Sequence, residues 1–149
     1  MKFSIYIIKV SFAAYPETAL SPDRLKELMK PAKVNLVLQK DKTIIGFGYI
    51  CGFKPLPNFS HTGTLTYFIR PEFTGQGLGT KLFNELINRG KDLGITNYLA
   101  HISSRNEQSL NFHKKMGFDE VGRFKNVGRK FGKDIDMVWV QKEFPKGVE

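Results

Sequence analysis

The segment TGQGLGT, residues 74–80, places glycine at 75, 77 and 79 between a strand-like run and a helix-like run. Ahead of it lies TLTYFIR, residues 64–70, rich in β-branched and aromatic residues and closed by Pro71. Behind it, apolar residues recur at 78, 82, 83, 86 and 87, the spacing of a helix with one buried stripe. A strand delivered through a glycine turn onto a helix start commits the chain to an α/β arrangement. The same turn suits an anion. Glycines admit positive φ and carry no Cβ, so successive N–H groups can converge on one point, and the helix start adds about half a positive charge there. A diphosphate is the natural guest. The spacing is neither G-x-G-x-x-G with a ribose-binding acid about 20 residues on, nor G-x-x-x-x-G-K-[ST]. Alone, a glycine-rich turn is equally a tight connection.

The remaining elements fall around this unit. Ser21, Pro22 and Asp23 read as the start of a short helix over residues 23–30, stopped by Pro31. VNLVLQK and TIIGFGYICGF flank Asp41-Lys42 as a hairpin over residues 34–53, and residues 54–63 read as a loop. NYLAHIS, residues 97–103, is the next strand. Ser104 with Glu107 forms a capping box that opens a second helix ending at Gly117. FDEVGRFKNVGRKFG and DIDMVWVQKEF read as two more strands around a loop. Residues 1–15 are apolar without a clear period. No repeat or dividing linker appears, so one domain over residues 1–149 is expected.

Charge and cysteine narrow the function classes. The net charge of +9 invites a nucleic-acid reading, which requires a concentrated basic face or arm. The excess is instead spread along the chain, with one locally basic run from Arg123 to Lys133. No nucleic-acid partner is expected, and a positive field of this kind suits a phosphorylated ligand equally well. Lys9 breaks the one long apolar run, so no membrane span is expected. Cys51 is the single cysteine, which fits a reducing, cytoplasmic setting and a small buried hydrophobe. The three histidines are scattered, with no acid at ligand spacing, and no metal site is expected.

A strand ending in Arg-Pro, then an aromatic, then x-G-x-G-x-G on a helix, then N-x-x-S-x-x-F-H-x-K-x-G-F, resembles the GNAT superfamily of acetyl-CoA-dependent N-acetyltransferases. The resemblance covers residues 34–143. The stretch from Asn106 to Phe118 and the tail VGRKFGKDIDMVWVQ look most like the phosphinothricin and amino-acid N-acetyltransferase branch. It implies an α/β fold with a mixed sheet, GNAT-like, with a shortened N-terminal part, and acetyl-CoA as co-substrate. Backbone groups of Gly75, Gln76, Gly77, Leu78, Gly79 and Thr80 would hold the pyrophosphate. The pantetheine arm would pair along Tyr67, Phe68 and Ile69, with Asn106 touching the arm and Lys115 near the nucleotide. Relatives of this branch pair as dimers, which the resemblance extends to this chain. Two positions depart from the pattern: Thr74 stands where the loop opens with Arg or Gln, and Thr64 where the amino-acid branch carries a Glu.

Acetyl transfer to an amine needs a neutral nucleophile, a donor for the oxyanion and a proton for the thiolate. Amines titrate near 10, so about one in a thousand is neutral at pH 7. His113, on the helix face shared with Asn106 and Ser109, is the candidate proton donor to the thiolate, where many relatives carry Tyr. The backbone N–H of Ile69 is the oxyanion donor that relatives suggest. His61, Glu72 and the Tyr67 hydroxyl are weaker base candidates, His101 reads as structural, and Phe131 is placed near the acceptor pocket by resemblance. The expected reaction moves acetyl directly to a small amino-acid-like amine. The alternatives are a protein N-terminus or lysine as acceptor, or a non-catalytic coenzyme A-binding module.

Overall fold

The computed structural model describes residues 27, 30–41 and 43–145. The expected helix over residues 23–30 lies largely outside these; Glu27 is helical and accepts a bond from the Lys30 N–H at 3.3 Å. The apolar start, residues 1–15, also lies outside them.

Among the described residues, six strands form one sheet: β1 (Ala32–Lys40), β2 (Thr43–Gly52), β3 (Thr62–Ile69), β4 (Asn97–Ser103), β5 (Asp119–Lys130) and β6 (Lys133–Glu143), in the order β1-β2-β3-β4-β6-β5. Every neighbouring pair is antiparallel except β3 with β4. The parallel pair is joined by the glycine turn and helix α1 (Leu78–Asp92), the crossover that parallel pairing requires. Helix α2 (Glu107–Lys115) then connects β4 to the final hairpin.

Alternation and helical period decide which faces meet. Leu82, Phe83, Leu86 and Gly90 make the buried stripe of α1, which packs on Ile50 of β2, Leu65 of β3, Tyr98 and Ala100 of β4, and Val138 and Val140 of β6. Leu110, Phe112 and Met116 bring α2 against the same cluster. The glycine turn and the start of α1 are thereby held against the sheet beside β3.

Two local expectations are corrected. Strand β3 starts two residues early, because Thr62 and Gly63 already pair with Asn97 and Tyr98 of β4. Helix α2 is capped by Asn106, whose Oδ1 accepts from the Ser109 N–H at 3.1 Å, not by Ser104. The Ser104 hydroxyl is taken instead by the Asp136 N–H at 2.8 Å, tying the end of β4 to β6. The last two strands meet as expected, and the loop between them is a two-residue hairpin turn, Phe131 and Gly132 at φ 52 and 71.

Candidate active site

The site begins where β3 and β4 part. They pair only through Thr62, Gly63 and Thr64 with Asn97, Tyr98 and Leu99, yet β3 runs on to Ile69 and β4 to Ser103. Beyond Thr64 the two strands lose their shared ladder. The Arg70 N–H bonds to the Ile45 carbonyl at 2.8 Å, so Arg70 faces β2. The Asn97 N–H bonds to the His61 carbonyl at 3.1 Å, so His61 faces β4. Backbone direction alternates along a strand, so both bonds require Tyr67 and Ile69 to turn their N–H and C=O groups toward β4, where pairing has stopped. Phe68 turns its own to Phe47 of β2. Two amides and two carbonyls thus line one side of an open wedge.

The glycine turn lies at the strand's C-terminal end. Gly75 and Gly77 have φ of 76 and 77, in the left-handed region, and a Cβ added at either would meet nothing within 4 Å. Glycine stands there for its backbone angle, on an open surface. Gly77 is the N-cap of α1, and its carbonyl accepts the first helical bond, from the Lys81 N–H at 3.1 Å. The N–H groups of Leu78, Gly79 and Thr80 therefore have no acceptor inside the helix. No side chain caps this end and no acid sits in the first turn, so nothing local offsets its positive dipole end. The Thr80 hydroxyl turns inward to the Met116 sulfur at 3.9 Å, and the Thr74 hydroxyl donates to the Pro71 carbonyl at 2.8 Å. An anion here meets backbone, with Gln76 exposed beside it. Open wedge and uncapped cradle fit the extended arm and diphosphate of coenzyme A.

Helix α2 closes the other side. Capping commits the Asn106 carbonyl to the helix and leaves its amide NH2 for a ligand. Two turns on, His113 is 4% exposed. Its Nδ1 lies 2.7 Å from the Ser109 carbonyl, which can only accept, so Nδ1 carries the proton. In the neutral ring Nε2 is then an acceptor, and it lies 2.6 Å from the Tyr67 hydroxyl, which donates to it. Burial pushes the His113 imidazolium below its usual 6.5, opposed by the bond to Ser109, and pushes the Tyr67 phenol up. Both groups rest neutral. Phe83, Phe112 and Phe118 surround the pair, while Tyr67 itself keeps partial exposure. The side-chain bond from Tyr67 to His113 is the feature sequence reasoning missed; only fold geometry brings residues 67 and 113 together.

The other candidates lie apart. Thr64 donates weakly to the Cys51 carbonyl at 3.4 Å and supplies no carboxylate. His61 is exposed just before β3, at the end where β3 and β4 are still paired, and Glu72 lies past the strand beside Arg70 at 3.4 Å. Lys115 is exposed in the last turn of α2. Phe131 sits 47% exposed at the hairpin tip, and His101 packs on Trp139 with ring centroids 5.0 Å apart. Among the described residues, no three His, Cys, Asp or Glu are placed to hold a metal, and no helix is long and apolar enough to cross a membrane.

Comparison with known proteins decides the family. The model of the Acetyltransferase (GNAT) family matches residues 5–118. The chain belongs to that family. Among curated GNAT relatives it is 30% identical over 114 residues to the L-amino acid N-acyltransferase MnaT of Escherichia coli, covering 76% of this chain and 66% of that protein. It is 30% identical over 147 residues to phosphinothricin N-acetyltransferase of Alcaligenes faecalis, covering 94% and 74%. Against the E. coli protein and a Pseudomonas methionine sulfoximine acetyltransferase, the GNAT chain spans 66% and 57% of the relative's length. Of solved structures, ribosomal-protein-alanine N-acetyltransferase from Brucella melitensis matches with TM-score 0.83 at 26% identity, over 96% of this chain and 92% of that one. A phosphinothricin acetyltransferase from Sinorhizobium meliloti, in complex with AcCoA, shares the fold with TM-score 0.84 at 24% identity, over 99% and 82%.

Proposed function

We propose that this chain transfers acetyl from acetyl-CoA to the primary amine of a small amino-acid-like acceptor, by direct attack in a ternary complex. The wedge between β3 and β4, opening beside an uncapped glycine cradle, carries the reading: it offers an extended ligand a strand edge to pair with and an anion site at its end. Tyr67 and Ile69 hold the pantetheine arm through backbone bonds, flanked by Phe68. Gly75, Gln76, Gly77, Leu78, Gly79 and Thr80 hold the pyrophosphate. Asn106 reaches the arm from α2, and Lys115 lies toward the nucleotide. The Ile69 N–H donates to the oxyanion, where a preorganised donor strengthens as charge develops. His113 serves the proton transfers through the Tyr67 hydroxyl bonded to its Nε2. The acceptor class is supported by the relatives' names, which specify amino acids, methionine sulfoximine and phosphinothricin.

A protein N-terminus is the second reading, favoured by the likeness to the ribosomal-protein-alanine enzyme. One experiment separates the two. Thiol release from acetyl-CoA is followed against a panel of free amino acids, their analogues and short peptides. Turnover with free amino acids is expected; turnover with peptides alone supports the second reading. Acetyl-CoA that binds but is never consumed overturns both.

A further inference from the structure

We propose that Tyr67 and His113 form a two-residue proton relay, in which the Tyr67 hydroxyl is the catalytic group at the wedge and His113 the positioning residue behind it. The inference rests on the acetyl-transfer reading above. No carboxylate occupies position 64, and both ring nitrogens of the buried His113 are already engaged, one by the Ser109 carbonyl and one by Tyr67. Of the pair, Tyr67 is the more exposed, and it stands on the stretch of β3 that has lost its β4 partner. Its proton points at Nε2, which leaves an oxygen lone pair free to accept another proton. The Ser109 carbonyl orients the ring and steadies the charge that forms when Nε2 is protonated.

The steps balance with no further reactant. The substrate ammonium first loses one proton to solvent. The neutral amine's lone pair then attacks the thioester carbon, and the carbonyl π electrons move to oxygen, leaving a positive nitrogen and an oxyanion. The nitrogen gives a proton to the Tyr67 oxygen as Tyr67 gives its own to His113 Nε2. The oxyanion re-forms the carbonyl and the carbon–sulfur bond breaks, its electron pair leaving on sulfur. The thiolate takes the Tyr67 proton while Tyr67 recovers one from Nε2. One proton has passed from nitrogen to sulfur, and the dyad is restored.

The test combines turnover with a ligand-free measurement. Tyr67→Phe and His113→Phe are each expected to lower kcat about 100-fold, with KM for acetyl-CoA changed less than about threefold. The double variant should lose no more than the worse single, since parts of one relay are not additive. An undiminished kcat in Tyr67→Phe, or losses that multiply in the double variant, overturns the relay while the transfer reading stands. A wild-type protein inert to every acceptor removes that reading and the relay with it. Nitrogen-15 NMR of the wild-type imidazole decides the matter even if the variants do not fold. A neutral ring protonated at Nδ1 is expected; a proton resident on Nε2 overturns the relay.

Discussion

A buried histidine that rests neutral ties stability to pH with a definite sign. Burial lowers the His113 value below 6.5, so on acidification the unfolded chain binds its proton first. The contribution is therefore complete above about pH 6.5 and shrinks as pH falls from there toward the lowered value, at no more than about 1.4 kcal/mol per pH unit. His101 is shifted the same way by burial. Denaturation midpoints at pH 7.5 and 5.5 should show a larger loss in wild type than in His113→Phe, where only the second histidine remains. Equal losses would mean that His113 is not held neutral. At Gly77, alanine would bring a Cβ into the left-handed region at a cost of roughly 1–2 kcal/mol. Because that Cβ points into open space, Gly77→Ala is expected to weaken acetyl-CoA binding by more than tenfold, read by calorimetry, while the fold persists.

Helix α1 approaches the sheet through a glycine. A Cβ on Gly90 would collide with the Tyr98 hydroxyl, whose ring is fully buried and whose oxygen donates to the Ile95 carbonyl at 3.3 Å. The ring has nowhere to go, so Gly90→Ala is expected to cost about 3 kcal/mol and lower Tm by roughly 10 °C. A variant melting with wild type would show that α1 can lift from β4. This element also shows what sequence carries. The stripe 82, 83, 86 was legible because period alone determines the buried face of a helix. The cap of α2 was not: Ser104 and Asn106 are both good capping residues, and the choice was made by the Asp136 N–H of a distant strand claiming the Ser104 hydroxyl.

For the whole molecule, the crossover unit and the cradle were legible, because a glycine turn between strand and helix is local chemistry. The wedge was not, since nothing in the residues of β3 and β4 announces that their pairing ends at Thr64 and Leu99. Nor was the Tyr67–His113 bond, which joins residues 46 apart in the chain. Ligand binding to the folded form alone should stabilise it by about 2.7 kcal/mol at a hundred times Kd. Acetyl-CoA at that level is expected to raise Tm, and no shift would argue against a coenzyme A site.

The short clasp of β3 to β4 has a mechanical consequence. Among the described residues, three residue pairs join the β1-β2-β3 half of the sheet to the β4-β6-β5 half, and the helices pack across the rest of the seam. A bound arm would supply the missing rungs and act as a removable strand between β3 and β4. Amide exchange should therefore read as a comb: in the free protein Thr66 and Phe68 slow, Tyr67 and Ile69 fast, and with acetyl-CoA the fast teeth slowed while the others hold. The molecule would then be two half-sheets that its own substrate stitches into one.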